Sequence, residues 1–599
     1  MRGGVIPRST HPAIRQALAS VRAHFAFVVV FSFFVNVLML TGPVFMLQIY
    51  ERVLTSRSEQ TLLALFLLVV GLYAIMGVLD HLRHKVMARA GVLVQDQLSE
   101  RAFRGAVTQA LTPAGGMRPS AAVRNLDDIQ SALSGPGPLA LFDLPWLPIY
   151  LLVIYTFHPL LGVLATVGGV VIVLLALLGQ VASRRSQAEM LEPSLAAAGV
   201  EQAALRDAGV IRALGMQGAF SDRWRVQKQE SQWAQLSHSA TSGAFRATAK
   251  SFRLLLQSTI LALGAYLVLQ GGITPGVMIV ASIMMGRALA PVDQLTGSYG
   301  SLQKARLARQ QLNALFFEQP QPPEKPDLPR PLPSIKAANL SVGPFGTSTP
   351  LVKGFNFSVR PGEALGIIGP SGSGKSSIAK TLAGIWPTLT GELRLGGATF
   401  NQWDQDVFGR FVGYMPQQPS LFQGTVAENI ARFDPEATMA QVVAAAELAG
   451  AHEMILELPR GYETEIGHGA NEVSGGQALR ISLARALFGD PVLVILDEPN
   501  SFLDGQGEQA LFKAIRTVKE RGATVVIVAH SPAIILDCET TLVIVDGYQQ
   551  EFGPTKEIVA RNTRVPTPPE GQITAASSVS SGMEKAPKER RELEEEIPA

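Results

Sequence analysis

Cysteine is almost missing from this sequence of 599 residues, where Cys538 stands alone. A single cysteine excludes an intrachain disulfide and any paired-cysteine metal site. Charge is scarce as well. Only 17% of residues are Asp, Glu, Lys or Arg, against about 25% in soluble chains, and 47% are hydrophobic. The shortfall is concentrated in the first half, the pattern of a membrane domain joined to a soluble one. The net charge of +2 is too small for a nucleic-acid-binding surface. Acid is absent from the first 24 residues, which carry Arg2, Arg8, Arg15 and Arg22. No short apolar stretch with a small-residue cleavage site follows them. Residues 1–24 therefore read as a basic cytoplasmic N-terminus and not as a cleaved signal peptide.

Long apolar runs are what the sequence has instead. Six could cross a bilayer, which takes about 20 helical residues: 25–48, 61–82, 139–157, 160–181, 252–270 and 274–294. Only His158-Pro159 separates the third from the fourth. A Gly-Gly-Ile-Thr-Pro-Gly turn joins the fifth to the sixth. The connections 83–138 and 182–251 are long and basic, with Arg83, Lys85, Arg89, Arg101, Arg104 and Arg124 in one and Arg184, Arg185, Arg206, Arg212, Arg223, Arg225 and Lys228 in the other. Positive-inside asymmetry puts these connections and both termini in the cytoplasm. Their periodicity predicts helices continuing beyond the membrane, with tips at 112–120 and 208–217. Polar residues within spans are functional candidates: Asn36, Gln48, Asp80, Asp143, Arg287 and Asp293. Asp80 and Asp143 fall near the boundary, where interfacial anchoring is the competing role. Pro43, Pro145 and Pro148 should kink their spans.

Domain boundaries follow. A transmembrane domain of six helices covers 25–317, and 318–334 is a proline-rich linker. A second domain covers 335–563, and 564–599 has the composition of a disordered tail. The fold class is thus an all-α membrane domain followed by an α/β phosphate-loop domain.

That second class rests on motifs. Ala364-Leu-Gly-Ile-Ile-Gly369 is a short apolar strand. It runs into Gly369-Pro370-Ser371-Gly372-Ser373-Gly374-Lys375-Ser376, followed by Ser377 and a helical pattern. Backbone N–H groups of such a loop cradle phosphates, the lysine reaches the β- and γ-phosphates and the serine hydroxyl sits on Mg²⁺. A second buried strand, 491–496, ends in Asp497-Glu498. Asp497 can hold the metal shell, and Glu498 can act as general base on the attacking water. A third strand, 523–529, delivers His530 to the same sheet edge as a γ-phosphate contact. Ser474 is a natural N-cap, and Gly475 and Gly476 leave bare N–H groups for a second phosphate site.

On these residues the chain resembles the ATP-binding-cassette transporters, from about 25 to 560. The resemblance adds Gln417 as the Q-loop glutamine near metal and water. It adds Val473-Ser474-Gly475-Gly476-Gln477 as the signature, Asp504 as the D-loop aspartate, Thr464-Glu-Ile-Gly467 as the X-loop and His530 as the switch histidine. It implies ATP and Mg²⁺, and a homodimer in which each nucleotide lies between one phosphate loop and the other copy's signature. By the resemblance, Val342 stands where the family has its adenine-stacking tyrosine, with Phe345 as a substitute.

Ile49-Tyr-Glu-Arg-Val53, Phe142-Asp-Leu-Pro-Trp-Leu-Pro-Ile-Tyr150 and Asp497-Glu-Pro-Asn-Ser501 resemble the type I secretion ATPases of the protease and lipase exporter group. That resemblance implies a bacterial inner-membrane exporter of an unfolded polypeptide bearing a C-terminal signal. A periplasmic adaptor and an outer-membrane channel would be its partners. A lipid or multidrug exporter with the same engine is the alternative.

Overall fold

The computed structural model describes residues 9–112, 119–319, 325–326, 328–467, 473–500, 505–529 and 532–562. The chain divides into two compact units, one built on residues up to 324 and the other from 325 onward, with 344–346 grouped with the first. Most of the expected 112–120 tip and the whole 564–599 tail lie outside the described residues.

The first unit is helical. Its elements are α1 (Pro12–Ser20), α2 (Arg22–Leu38), α3 (Thr41–Gln48), α4 (Glu59–Ala110), α5 (Pro119–Ser134), α6 (Pro136–Asp143), α7 (Trp146–Phe157), α8 (Pro159–Arg206), α9 (Gln217–Leu269) and α10 (Pro275–Glu318). Local sequence sets the starts. Ser58, His158 and Thr274 each accept a first-turn backbone N–H, and Pro159 and Pro275 occupy the first helical position. The last two starts make the tight hairpins read from the sequence.

Among the described residues five helices are long and apolar enough to span a membrane, and α6 with α7, bent by 44°, makes a sixth span. The third span is therefore broken, not merely kinked. The break falls at Leu144-Pro145, where the proline lacks an N–H and its ring opposes the carbonyl four residues back. Pro148 does not kink α7, because it lies in the first turn, where no intrahelical donor is needed. Pro43 likewise lies in the first turn of α3, after the turn residues Met39-Leu40, which keep helical backbone, and the first span continues through it from Arg22 to Ser56.

The long connections are helical extensions as expected. α4 has 52 residues, α8 has 48 and α9 has 53. The turn between α8 and α9 contains Gly215 in left-handed backbone at φ 65. A core of Tyr150, Ile154, Leu161, Ile260, Met284 and Met285 joins the spans. The apolar window of α4 has none of its residues buried, and Leu63, Leu67 and Val78 are each about three-fifths exposed. A stripe of that size marks a surface covered by lipid or by another protein.

Four of the six polar span residues, Asn36, Asp80, Asp143 and Asp293, have side-chain partners. Arg83, 5% exposed, donates from Nη1 to both oxygens of Asp143 at 3.0 Å and from Nε to Asp80 at 2.6 Å. Asn36 donates to Asp143 at 2.7 Å, and the Tyr150 hydroxyl donates to the Asn36 carbonyl at 2.9 Å. Asp143 is thus a buried ion-pair partner and not an interfacial anchor. Its place in the first three spans explains why a membrane helix tolerates it. Arg83, counted by its sequence position among the basic residues of a cytoplasmic connection, belongs to this buried cluster. A second pair joins Arg253 to Asp293.

Among the described residues the main sheet of the second unit has ten strands: β1 (Ile335–Val342), β2 (Val352–Val359), β3 (Ala364–Ile368), β4 (Thr388–Leu395), β5 (Ala398–Thr399), β6 (Val412–Met415), β7 (Leu493–Asp497), β8 (Thr524–Val528), β9 (Thr540–Val545) and β10 (Tyr548–Pro554). Their order is β5-β4-β1-β2-β10-β9-β3-β8-β7-β6. The β9-β3-β8-β7-β6 portion is parallel, and β5, β4, β1 and β2 pair antiparallel. The continuous apolar runs of β3, β7 and β8 are what a strand covered on both faces requires. Register places Ile367, Asp497 and Val528 side by side, and Met415 beside Leu496. The loops after these four strands therefore emerge along one edge.

Candidate functional site: a nucleotide pocket and a signature helix

The phosphate loop joins β3 to α11 (Lys375–Leu382). Two of its glycines are fixed by space as well as by conformation. A Cβ on Gly369 would lie 2.1 Å from the Ile544 carbonyl oxygen, and one on Gly374 would lie 2.4 Å from Val352. Gly374 also has φ 103, costly for any other residue. Lys375 is 5% exposed, and its Nζ donates to the carbonyls of Gly369 (2.8 Å) and Pro370 (2.9 Å). Burial pushes its pKa down, and the charges of Glu498 and Asp497 act in the opposite sense. Ser371 and Gly372 are exposed at the loop surface, and Ser377 is buried beneath it. The buried Ser373 hydroxyl has no hydrogen-bond partner, an orphan that a phosphate oxygen would satisfy.

Across the same edge, the Ser376 hydroxyl donates to Asp497 Oδ1 at 3.3 Å. Asp497 is 2% exposed. Burial raises its carboxyl above 3.8, the Ser376 hydrogen bond opposes this, and the Glu498 charge adds to it. Gln417, two residues beyond β6, donates from Nε2 to Glu498 Oε2 at 2.9 Å. Glu498 itself holds left-handed backbone, φ 54, with its N–H on the Val528 carbonyl at 2.9 Å. Such a conformation costs on the order of 1–3 kcal/mol and concentrates at functional sites. Ser376, Asp497 and the Gln417 carbonyl are hard oxygen donors, the type Mg²⁺ takes. Among the described residues no group of three or more His, Cys, Asp or Glu side chains forms a closed metal cage.

The signature forms the start of α15 (Gly475–Leu487), after α12 (Gln405–Phe411), α13 (Val426–Ile430) and α14 (Met439–Leu448). Ser474 caps α15: its Oγ accepts the Gln477 N–H at 3.3 Å, and Gln477 Oε1 accepts the Ser474 N–H at 2.9 Å. Gln477 thus closes a capping box. Ser474 and Gly475 are exposed, and Gly476 is half-buried. The first-turn N–H groups at Gly475 and Gly476 have no intrahelical acceptor. α11 packs on β7, β8 and β1, whereas α15 packs on α13, α14 and β6. The two helix ends read as candidate anion sites thus pack in different layers. The X-loop is a two-residue strand, Glu465–Ile466, paired with Gly424–Thr425 just beyond Gln417.

The structure brings together the phosphate loop, Asp497, Glu498 and Gln417. His530 and Asp504 lie outside the described residues. Val342 is fully buried in the sheet core beside Val352, so it cannot stack on a base. Phe345 is half-buried. Sequence reasoning missed Tyr414, whose hydroxyl is pushed up to about 12 by burial and then by Asp497. Its place on β6, three residues ahead of Gln417, was the available signal.

Residues 352–501 match the ABC transporter family, and residues 25–290 match the ABC transporter transmembrane region. The type I secretion system ATP-binding protein PrsD of Rhizobium meliloti (strain 1021) is 42% identical over 93% of this chain and 95% of its own length. The leukotoxin translocation ATP-binding protein LktB of Mannheimia haemolytica is 28% identical over 91% of this chain and 77% of its own. A bacterial Atm1-family ABC exporter solved with ATP bound superposes with a TM-score of 0.78, at 23% identity, over 91% of this chain and 97% of that one. That last likeness establishes the fold, which combines a helical membrane domain with a nucleotide-binding domain. With both domain matches, the near full-length relative and the phosphate-loop, Asp497 and Glu498 edge in place, the chain belongs to the ABC transporter family, whose members couple ATP hydrolysis to transport through a multi-pass membrane domain.

Proposed function

We propose that this chain is the inner-membrane ATPase of a type I secretion system. In this reading it exports an unfolded polypeptide carrying a C-terminal signal, as a homodimer working with a periplasmic adaptor and an outer-membrane channel. Both termini and the long helical extensions lie in the cytoplasm. The observation that carries the proposal is the 42% identity to a type I secretion ATP-binding protein over nearly the whole of both chains.

The chemistry follows from the site. The loop amides and Lys375 hold the β- and γ-phosphates. Ser376, Asp497 and Gln417 would hold Mg²⁺, which neutralises charge developing on the transferred phosphoryl group. Glu498 takes a proton from the attacking water, and Gln417 orients that carboxylate. His530 contacts the γ-phosphate. Ser474, Gly475 and Gly476 supply the other wall of a pocket completed by a second copy, with Asp504 close to the shared boundary. The separate layers of α11 and α15 support this reading.

The test is ATP turnover by the purified, reconstituted protein. C-terminal fragments of secreted proteins should stimulate it, and lipids or small amphiphiles should not. The reverse response would replace the cargo assignment while leaving the ATPase intact. Comparing the secreted proteins of parent and deletion strains would then name the cargo.

A further inference from the structure

Arg432 follows α13, the short helix on the segment leaving Gln417. Arg432 and Phe433 both hold left-handed backbone, each at φ 58. Neither is glycine or asparagine, and two such residues in succession persist only where their surroundings over-determine them. Their effect is to aim one guanidinium inward. Nη1 donates to the carbonyls of Gly409 (2.7 Å) and Val412 (3.2 Å), Nε to Arg485 (3.0 Å) and Nη2 to Ala486 (3.0 Å).

These four carbonyls belong to two bodies. Gly409 lies in α12 and Val412 opens β6, the strand that ends two residues before Gln417. Arg485 and Ala486 lie in the last turn of α15, the helix whose other end is Ser474. A simple helix cap would need only the second pair. The fit is close, since a Cβ on Gly413 would lie 2.1 Å from the Ala486 carbonyl oxygen. Burial, and then Arg485, push the Arg432 guanidinium down to about 10, so it stays cationic at neutral pH. A cation there also complements the negative end of the α15 dipole.

The segment between Gln417 and Arg432 is itself tied down. Asn429 accepts the Phe422 N–H at 2.9 Å and donates to the carbonyls of Phe422 (2.9 Å) and Thr425 (3.0 Å). Arg485 covers the Phe422 ring at 5.4 Å. Bonded contacts thus run from Glu498 through Gln417 and this segment to Arg432 and α15.

We propose that Arg432 is a positioning residue for ATP hydrolysis, whose four hydrogen bonds fix where the signature end of α15 stands relative to β6 and Gln417. The inference rests on the reading that Ser474 and Gly475 complete the pocket of a second copy. Lysine cannot replace it, because one ammonium cannot bridge four carbonyls on two bodies.

The test uses the full-length chain. Arg432→Lys and Arg432→Gln are compared with the parent in ATP turnover and in affinity for a fluorescent ATP analogue. A third readout is ATP-driven disulfide cross-linking between Ser474→Cys of one copy and Ser371→Cys of another. Arg432→Lys keeps the charge and stem and serves if Arg432→Gln does not accumulate. Turnover and cross-linking should both fall about tenfold while analogue affinity stays within about threefold, the signature of an interaction made beyond simple binding. Parent-like turnover, or a matching loss of analogue affinity that marks a merely structural role, overturns the inference. A parent cross-link that Arg432→Lys leaves unchanged overturns it alone. Absence of the cross-link in the otherwise unaltered chain overturns the shared-pocket reading and this inference with it.

Discussion

Replacing Asp143 with alanine should be costly, because it removes one half of a buried ion pair. Asp143 accepts three hydrogen bonds, two from Arg83 at 3.0 Å and one from Asn36 at 2.7 Å, and both ends of the ion pair are 5% exposed. Stranding one partner of a buried pair costs about 3–5 kcal/mol. Arg83 would keep Asp80, which is itself 43% exposed at its side chain, so the lower end of that range applies. About 3 kcal/mol corresponds to a fall of roughly 6–12 °C in apparent melting temperature for a domain of a few hundred residues. The assay is a thermal scan of the purified full-length protein in detergent. The control is the double variant Arg83→Met with Asp143→Leu, which removes both charges and fills their volume. It should recover most of the loss, since an apolar replacement of a buried pair is often neutral or stabilising. A single variant melting within about 2 °C of the parent, or a double variant as unstable as the two singles summed, would refute the ion-pair argument.

Other expectations follow from the nucleotide site. Glu498→Gln should retain ATP binding and lose on the order of 10²–10⁴ in turnover, the range for a general base; ordinary turnover would remove Glu498 from that role. Gly369→Ala should fail to bind nucleotide, because its Cβ meets the Ile544 carbonyl; a nucleotide titration decides this. Asp497 must be ionised to hold a cation, and burial raises its pKa above 3.8. Mg²⁺-dependent nucleotide binding should therefore weaken on acidification at a pH above that of an ordinary aspartate. In the nucleotide-free protein the sign reverses. The folded state binds this proton more tightly than the unfolded chain, so the Asp497 contribution to stability falls as pH rises from 3.8 through the raised pKa. Cys538 is 5% exposed, and its thiol is pushed up to about 12, chiefly by burial. Maleimide should label it only after unfolding, and rapid labelling of the native protein would contradict its burial.

The nucleotide edge was legible because its chemistry is local. Gly369–Ser376 and Asp497-Glu498 carry their roles in contiguous residues, and the strands that deliver them are unbroken apolar runs. The spans were legible by length and hydropathy, but not the break at Leu144-Pro145. Proline signals a disturbance without saying whether the helix bends or stops. The surroundings of Arg83 were not legible, because composition places a residue at a span boundary by its neighbours in sequence, whereas its partner Asp143 lies 60 positions away. Whether Val342 could meet a base stays open in the sequence, because a motif fixes position along a strand and leaves unspecified which face is covered; its burial answers that question. Arg432 gave no composition signal at all. Its importance lies in carbonyl acceptors, which every residue possesses and no sequence marks.

The length of α4 has a mechanical consequence. Its 52 residues reach about 78 Å, of which a hydrocarbon layer takes roughly 30 Å. The remainder is a stiff rod that extends past the span, with Ala90, Val94, Leu98 and Ala102 packed against its neighbouring helices. Tilting such a rod by about 5° inside the bilayer sweeps its far tip through about 4 Å, the scale on which packed interfaces switch partners. Small rearrangements among the spans thus reach the aqueous end magnified, with no joint required along the way.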